Sequence, residues 1–334
     1  MTGISSENER GLNRREFILR TCKAGIAAAA AGSLGYLLHD GLGPGPPSEA
    51  GDAQVSLPDF SIPGLEGKLS IVTGMDRVKS VHLALKSLGG IEAFVKKGDR
   101  VLIKVNAAFA TPPILSATSN PELLGEVVCL CLAAGAASVV VTDNPINDPG
   151  SCFALTGIGD AARSAGAQLV FPRDGFFRAT TVAGGTLIRD WPLLYTPFEN
   201  VNKVIGMAPV KDHHRSGASM IMKNWYGLLG GRRNIFHQNI HDVIMELAVM
   251  VKPTLVILDG VTTMMTNGPT GGSLSDLKQT GTLIVSTDQV AADAFGASLL
   301  GRSIRDLPFI LKAESMGLGT SDFESLHPIR TSVG

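Results

Sequence analysis

The feature that most constrains this chain is an alternation. From about residue 67 onward, short runs of β-branched and aliphatic residues recur between longer Ala- and Leu-rich stretches. Val101-Leu102-Ile103-Lys104-Val105 is one such run. Ser138 to Thr142, Gln168 to Phe171, Asn202 to Met207, Thr254 to Leu258 and Thr282 to Ser286 are others. Runs this short and this apolar read as strands buried on both faces. The stretches between them have readable helix ends. Asn120 caps a helix with Pro121 in its first turn, and that helix runs to Ala134 and stops at Gly135. Gly159 to Ala165 closes at Gly166, and Gln289 to Leu300 closes at Gly301. Ile240 to Val251 sets Ile240, Val243, Ile244, Leu247 and Val251 on one helix face. Gly175 to Asp190 alternates enough for a hairpin. The expected fold is α/β: a mostly parallel sheet with helices on both faces, as a single domain over residues 67–334 or as two interleaved lobes.

Composition narrows the function. Hydrophobic residues make up 44% of the chain, enough for a large core. Lys plus Arg number 29 against 30 Asp plus Glu, so there is no basic excess of the kind that marks a nucleic-acid partner. Four cysteines exclude a disulfide-dense scaffold. No C-x-x-C occurs, which argues against an iron–sulfur cluster. Cys129 and Cys131 are two apart on an expected helix and point to nearly opposite sides, and Cys152 stands alone. The chain also lacks a G-x-S-x-G elbow, an H-E-x-x-H pair and a G-x-x-x-x-G-K-[ST] loop, so serine hydrolase, zinc protease and P-loop readings are unsupported.

The first 50 residues read as an address. Asn13-Arg14-Arg15-Glu16-Phe17-Ile18-Leu19 is an arginine pair followed by Phe and two aliphatics. An apolar run from Ala24 to Leu38 follows, and then Pro and Gly crowd Gly41 to Pro47. This order resembles a twin-arginine signal, in which Arg14 and Arg15 would be read by the twin-arginine export machinery. The run is shorter than the roughly 20 residues a spanning helix needs, so the membrane enters only through an uncleaved signal. Export to the periplasm or cell exterior is the expectation. Residues 51–66, rich in Pro, Gly and Asp, read as a linker or a surface arm.

Ligands of open α/β sheets bind beyond the carboxyl ends of strands. Read that way, the chain offers Lys104 and Asn106, then Asp143-Asn144, then Lys211-Asp212-His213-His214-Arg215, then Asp259, then Asp288 with Asp293 in the following helix. The densest region, Lys211 to His241, holds four of the seven histidines and the loop from Lys223 to Arg233. Three readings stay open. His213, His237 and His241 bind a divalent metal, with His237 and His241 at i, i+4 spacing if the helix begins early enough. Alternatively, Asn239 caps that helix and leaves His237 in the loop. In the second reading, Lys and Arg donors around the glycine-rich loop hold an anion directly. The third is a solvated surface loop. Asn267 to Gly272 is a second glycine-rich loop with the same two options, anion cradle or plain connection.

A series of short motifs in fixed order adds a resemblance. It runs Ile103-Lys104-Val105-Asn106, Ser119-Asn120-Pro121-Glu122-Leu123, Ala133-Ala134-Gly135-Ala136 before a strand ending in Asp143, Pro209-Val210-Lys211-Asp212-His213 and Met222-Lys223-Asn224-Trp225-Tyr226-Gly227. It continues through Leu258-Asp259-Gly260, Gly268-Pro269 and Thr287-Asp288-Gln289-Val290-Ala291-Ala292-Asp293. Together these resemble the family called domain of unknown function 362, over about Leu69 to Gly301. The resemblance implies an α/β domain with Lys104, Asn106, Lys211, His213, Lys223, Asn224, Asp259, Asp288 and Asp293 at the family's motif positions. Some relatives carry a cluster-binding cysteine segment that this chain lacks.

The combined expectation is an exported α/β protein whose strand-end pocket binds an anionic small molecule, directly or through a divalent metal. Lys104, Lys211 and Lys223 would hold negative charge, and Asn106 and Asn224 would orient the ligand. His213 would carry a proton or ligate, with Lys211 and Lys223 as its catalytic companions. Asp259, Asp288 and Asp293 would be ligands, a base or lysine partners. The alternative is a non-catalytic accessory or binding protein serving an exported redox complex. Three lysines and three aspartates in one cavity would favour an enzyme, and their dispersal would favour the accessory role.

Overall fold

The structure is a computed structural model that describes residues 54–334. Arg14, Arg15 and the expected export signal lie outside the described residues. The strands in chain order are β1 (Leu69–Thr73), β2 (Arg100–Lys104), β3 (Ser138–Thr142), β4 (Gln168–Val170), β5 (Phe177–Thr180) and β6 (Trp191–Leu194). They continue with β7 (Lys203–His213), β8 (Gly217–Ser219), β9 (Leu255–Met264), β10 (Leu277–Ser286) and β11 (Ile329–Ser332). The α-helices are α1 (Arg77–Ser87), α2 (Pro121–Ala133), α3 (Pro149–Leu155), α4 (Ile158–Ser164), α5 (Ile221–Asn224), α6 (Ile240–Met250), α7 (Gln289–Leu299) and α8 (Pro308–Ser315).

Nine strands form one sheet in the order β11-β1-β10-β9-β7-β2-β3-β4, with β8 folded back against β7. From β9 to β4 every neighbouring pair is parallel. β10 runs antiparallel to both β9 and β1. β5 and β6 pair as the separate hairpin expected in that region.

Successive strand residues point to opposite faces, and the core divides accordingly. Leu102, Val204, Val256, Leu258 and Ile284 join one apolar cluster, which α6, α7 and α8 cover with Val243, Ala291 and Phe309. Val101, Ile103, Ile205, Ile257 and Val285 join the other, covered by Val81 of α1 and Leu124 and Val128 of α2. Each fully buried aliphatic side chain contributes about 1.5–3 kcal/mol. The fold is therefore α/β with helices on both faces, and the described residues fall in one unit.

Local chemistry sets the helix ends. Asn120 Oδ1 accepts from Leu123 N at 3.0 Å, and Pro121 occupies the first turn of α2. Gly135, just past that helix, has φ 91°, a left-handed conformation that glycine adopts without a Cβ penalty.

Two stretches differ from expectation, and a third takes one of its two expected forms. β7 continues six residues past Met207, so Lys211-Asp212-His213 lies on a strand and not in a loop. Its last residues pair with β8 across a turn closed by Gly217 at φ 78°. β9 and β10 extend as a ribbon that pairs Met264 with Leu277. Residues 55–66 are a packed arm, the second option read from their composition. Val55 N donates to Ala179 O, Phe60 is buried, and Phe60 O accepts from Thr254 Oγ1 at 2.7 Å. No helix among the described residues is long and apolar enough to cross a membrane.

The topology creates a crevice. From β2 the chain moves outward through β3 and β4, then returns as β7 on the opposite edge of β2 and continues to β9. The β2–β7 boundary is where strand order reverses, which is where ligands of open parallel sheets bind.

Candidate functional site

A cavity of about 550 Å³ opens at the carboxyl ends of β2, β3 and β7. Lys104 is the last residue of β2, and Asn106 lies just beyond it. Asp143 follows β3. Lys211 and His213, two apart on β7, both face the cavity, while Asp212 between them points away. The segment 221–228 supplies Lys223, Asn224, Tyr226 and Gly227.

That segment is anchored from below. Asp293 accepts from Ile221 N at 2.8 Å and Met222 N at 3.0 Å. The fully buried Trp225 donates its indole N–H to Gln289 Oε1 at 2.8 Å. The indole fits because residue 206 is glycine, where a Cβ would collide with its ring.

The floor is a hydrogen-bonded network. Lys104 Nζ lies 2.6 Å from Asp143 Oδ1 and donates to Val105 O and to Asn224 Oδ1. Asn106 Nδ2 donates to the same Asn224 oxygen at 3.1 Å. Asn224 Nδ2 in turn donates to Met207 O at 3.0 Å. The other oxygen of Asp143 accepts from Ala107 N at 2.7 Å. Lys211 Nζ donates to Ala117 O and more distantly to Asn106 Oδ1, 3.4 Å away. Lys223 Nζ sits 5.0 Å from the centre of the Tyr226 ring and makes no hydrogen bond or ion pair among the described residues.

Charge in the cavity is one-sided. Lys104, Lys211, Lys223, Arg215 and Arg233 line it, and Asp143 is the carboxylate among the lining side chains. Burial, then the Lys223 charge, lowers Lys211 to about 7. Burial, then Arg233 and Lys104, lowers Lys223 to about 7. Burial also pulls Lys104 below its ordinary value, against the attraction of Asp143. The Arg233 guanidinium donates to four carbonyls, those of Tyr226, Leu229, Asn144 and Pro145. It ties the glycine-rich loop to the end of β3 and adds positive potential from behind.

Three imidazoles stack along one wall. His213 lies between His214, 5.0 Å away centre to centre, and His237, 5.7 Å away. His213 Nδ1 accepts from Arg215 N and Ser216 N, both at 3.2 Å, so the ring hydrogen is assigned to Nε2. His237 Nδ1 faces Asn234 O and Tyr226 Oη, whose own hydrogen goes to Arg233 O. The ring hydrogen of His237 is therefore assigned to Nδ1. Burial, then the Lys223 charge, lowers His213 to about 2. Burial thus favours the neutral imidazole at His213, and among the lining groups the two lysines are the ones held near 7.

A divalent metal does not fit these side chains. A metal-bound imidazole donates through its other nitrogen, whereas His213 Nδ1 receives two amide hydrogens. His237 lies in a 3-10 helix over Arg233–Asn239 and α6 begins at Ile240, so His237 and His241 do not share an α-helix. His241 instead stacks on Phe309, away from the cavity. Among the described residues no group of three His, Cys, Asp or Glu side chains is placed to hold a metal ion.

The expected aspartates also lie elsewhere. Asp259 is in the middle of β9, opposite Pro209, and pairs with Arg77 at 2.7 Å. Asp288 caps α7 through Val290 N and Ala291 N, and also accepts from Thr320 N. Because β10 is antiparallel, its carboxyl end lies at the opposite edge of the sheet from those of β2 and β7. Asp293 positions the segment that carries Lys223, and burial raises its carboxyl to about 7 against two amide bonds. The three lysines thus meet in one cavity and the three aspartates do not. In the second glycine-rich loop, Gly268 N donates to Asp212 Oδ2 at 3.0 Å, while Pro269 and Thr270 form part of the cavity rim. Cys131 and Cys152 are buried, and burial raises their thiols to about 12 and about 11.

Tyr226 and Gly227 were not singled out from the sequence as ligand groups, whereas Asp143 was read at its strand end and Arg233 among the donors of the glycine-rich loop. For Asp143 the signal was present: it follows β3, which pairs with β2 so that Thr142 lies opposite Lys104. Gly227 has no such signal. A Cβ there would overlap Asp143 Oδ1 and Lys104 Nζ, so its absence of a side chain makes room for the ion pair.

Comparison with known proteins agrees with the motif series. The chain is 25% identical over 258 residues to the "Thylakoid-associated protein" of Synechocystis sp., covering 75% of this chain and 78% of that one. Among solved structures, the lactate racemase apoprotein from Thermoanaerobacterium thermosaccharolyticum aligns with TM-score 0.41 and 12% identity. That alignment covers 73% of this chain and 58% of the other. A protein from Thermotoga maritima aligns with TM-score 0.31 and 11% identity over 54% of this chain and 50% of its own. The family described as Domain of unknown function (DUF362) matches residues 101–298, a span that runs from β2 to the end of α7 and contains every lysine of the cavity, and the chain belongs to that family.

Proposed function

We propose that the cavity is a binding site for a small organic anion, with Lys211 and Lys223 as its principal recognition groups. One observation carries this reading: the cavity holds more cations than it can neutralise. Its carboxylate, Asp143, is committed to Lys104 and to the amides of Ala107 and Asn144. Lys211 and Lys223 are left without a counter-ion, and burial and like charge hold both near 7. An entering carboxylate or phosphate supplies the missing charge and favours the protonated form of the amine it faces. His213 presents an Nε2–H donor in the same wall.

Thermal unfolding against a panel of carboxylates and inorganic phosphate at pH 7 tests the reading. A ligand at about 100 times its Kd stabilises by about 2.7 kcal/mol. Lys223→Ala should abolish most of that shift. An equal shift in wild type and variant would remove Lys223 from the site, and no shift with any anion would contradict the reading.

The chain's place in the cell is also proposed. Asn13-Arg14-Arg15-Glu16-Phe17 and the apolar run after it support twin-arginine export. The name of the Synechocystis relative accords with a membrane-related location. Fractionating cells that express Arg14→Lys, Arg15→Lys should find the protein retained in the cytoplasm. Unchanged export of that variant would contradict the assignment.

A further inference from the structure

The two unpaired lysines of the cavity are not equivalent. Lys211 is tethered: its Nζ donates to Ala117 O and reaches Asn106 Oδ1. Two acceptors stabilise the ammonium form, and they fix where its charge sits. Lys223 Nζ has no acceptor among the described residues. It lies over the Tyr226 ring, beside an arginine whose guanidinium already donates to four carbonyls. A lysine with neither acceptor nor counter-ion, crowded by other cations in a desolvated wall, presents a free amine. A tethered amine that a bound carboxylate would charge, next to an untethered one, matches a ligand that carries both a negative group and an electrophilic carbon.

We infer that the cavity accepts 2-oxo carboxylates, with Lys211 holding the carboxylate and Lys223 Nζ forming an imine with the adjacent carbonyl. The inference rests on the anion-site reading above and goes beyond it by naming the ligand class. In the step, the Nζ lone pair adds to the carbonyl carbon and a C–N bond forms. The C=O π pair moves to oxygen. The two amine hydrogens then leave with that oxygen as water, and a C=N bond remains. Nothing is oxidised or reduced, and no co-reactant is needed. Two further features fit this chemistry. Lys223 is lowered to about 7, so a large fraction is unprotonated at neutral pH, when exposed lysines are not. His237 carries its ring hydrogen on Nδ1, which leaves an unprotonated Nε2 among the cavity side chains to relay protons.

The test uses the full-length protein with pyruvate and sodium cyanoborohydride at pH 7, followed by intact mass measurement and peptide mapping. Propionate, which keeps the carboxylate and lacks the carbonyl, is the competitor. The expected result is one reduced adduct per chain, mapped to Lys223 and suppressed by excess propionate. In Lys223→Arg the adduct should be lost, while propionate still raises the unfolding temperature. The wild-type mapping decides the matter even if that variant does not fold. Adducts spread over exposed lysines with none on Lys223, in a protein that propionate stabilises, would overturn the imine and leave the anion site standing. Failure of both acids to stabilise or to label at Lys223 would overturn both.

Discussion

Lys104 Nζ and Asp143 Oδ1 lie 2.6 Å apart, each residue 1% exposed, at the ends of adjacent parallel strands. This pair sets the electrostatics of the cavity because it consumes the carboxylate that could otherwise neutralise Lys211 or Lys223. Burying a charge is tolerated when it is paired and costly when it is not.

Asp143→Asn should therefore destabilise by about 3–5 kcal/mol, the usual consequence of leaving a buried charge without its partner. Urea unfolding would measure it. Lys104→Met combined with Asp143→Leu should recover most of that loss. If Asp143→Asn cost no more than an exposed pair, about 0–1 kcal/mol, the pair would not be the buried keystone described above.

Gly227 and Gly301 separate two reasons for glycine. Gly301 has φ 66° with nothing near its missing Cβ, so Gly301→Ala should cost only the left-handed strain, about 1–2 kcal/mol. Gly227 has ordinary backbone geometry but no room. Gly227→Ala should displace the Lys104–Asp143 pair, cost about 1–3 kcal/mol as an overpacked site, and abolish anion binding. Thermal shift with and without propionate distinguishes the two. Retained binding in Gly227→Ala would show that the ion pair is not needed for the site.

Arg233 is the first charged neighbour that lowers Lys223. Arg233→Met should release the loop from Asn144 and Pro145, at a cost of about 1.5–3 kcal/mol for lost hydrogen bonds from a charged donor. It should also raise the pKa of Lys223, so that anion affinity persists to higher pH than in wild type. An unchanged pH profile would mean that Arg233 acts on the loop alone.

The free protein should also respond to pH in a defined sense. Lys211 and Lys223 are near 7 when folded and about 10.4 when unfolded. Above pH 7 the unfolded chain therefore binds more protons than the native one, and stability rises with pH. The rise should be clearest from pH 7 to about 8, before ionisation of unfolded thiols, half complete at about pH 8.5, offsets it. A saturating anion should reduce the rise by returning a proton to the amine it faces. Unfolding midpoints across that range check this.

Much of this was legible in the sequence, for identifiable reasons. Helix α2 was readable because Asn120, Pro121 and Gly135 act locally. The parallel core was readable because strands buried on both faces leave unbroken apolar runs. Lys104, Asn106, Lys211, His213, Lys223 and Asn224 were found by reading strand ends and recurrent motifs, and they do share a cavity. The aspartates failed the same rule through topology. Asp288 follows an antiparallel strand and so lies at the wrong edge, Asp259 sits in the middle of a strand, and Asp293 faces the amides of Ile221 and Met222. The extension of β7 through Lys211 was hidden because its pairing with β8 depends on a turn, not on an apolar run. The His237–His241 spacing misled because one residue precedes the helix start and the other follows it.

The most direct measurement is isothermal titration of the full-length protein with propionate at pH 7.5, in buffers of different ionisation enthalpy. Net proton uptake is expected on binding, because the carboxylate favours the protonated form of a lysine that is largely unprotonated at that pH. Uptake should fall in Lys223→Ala and in Lys211→Ala. Binding with no proton uptake, or no binding by any small carboxylate or phosphate, would contradict it.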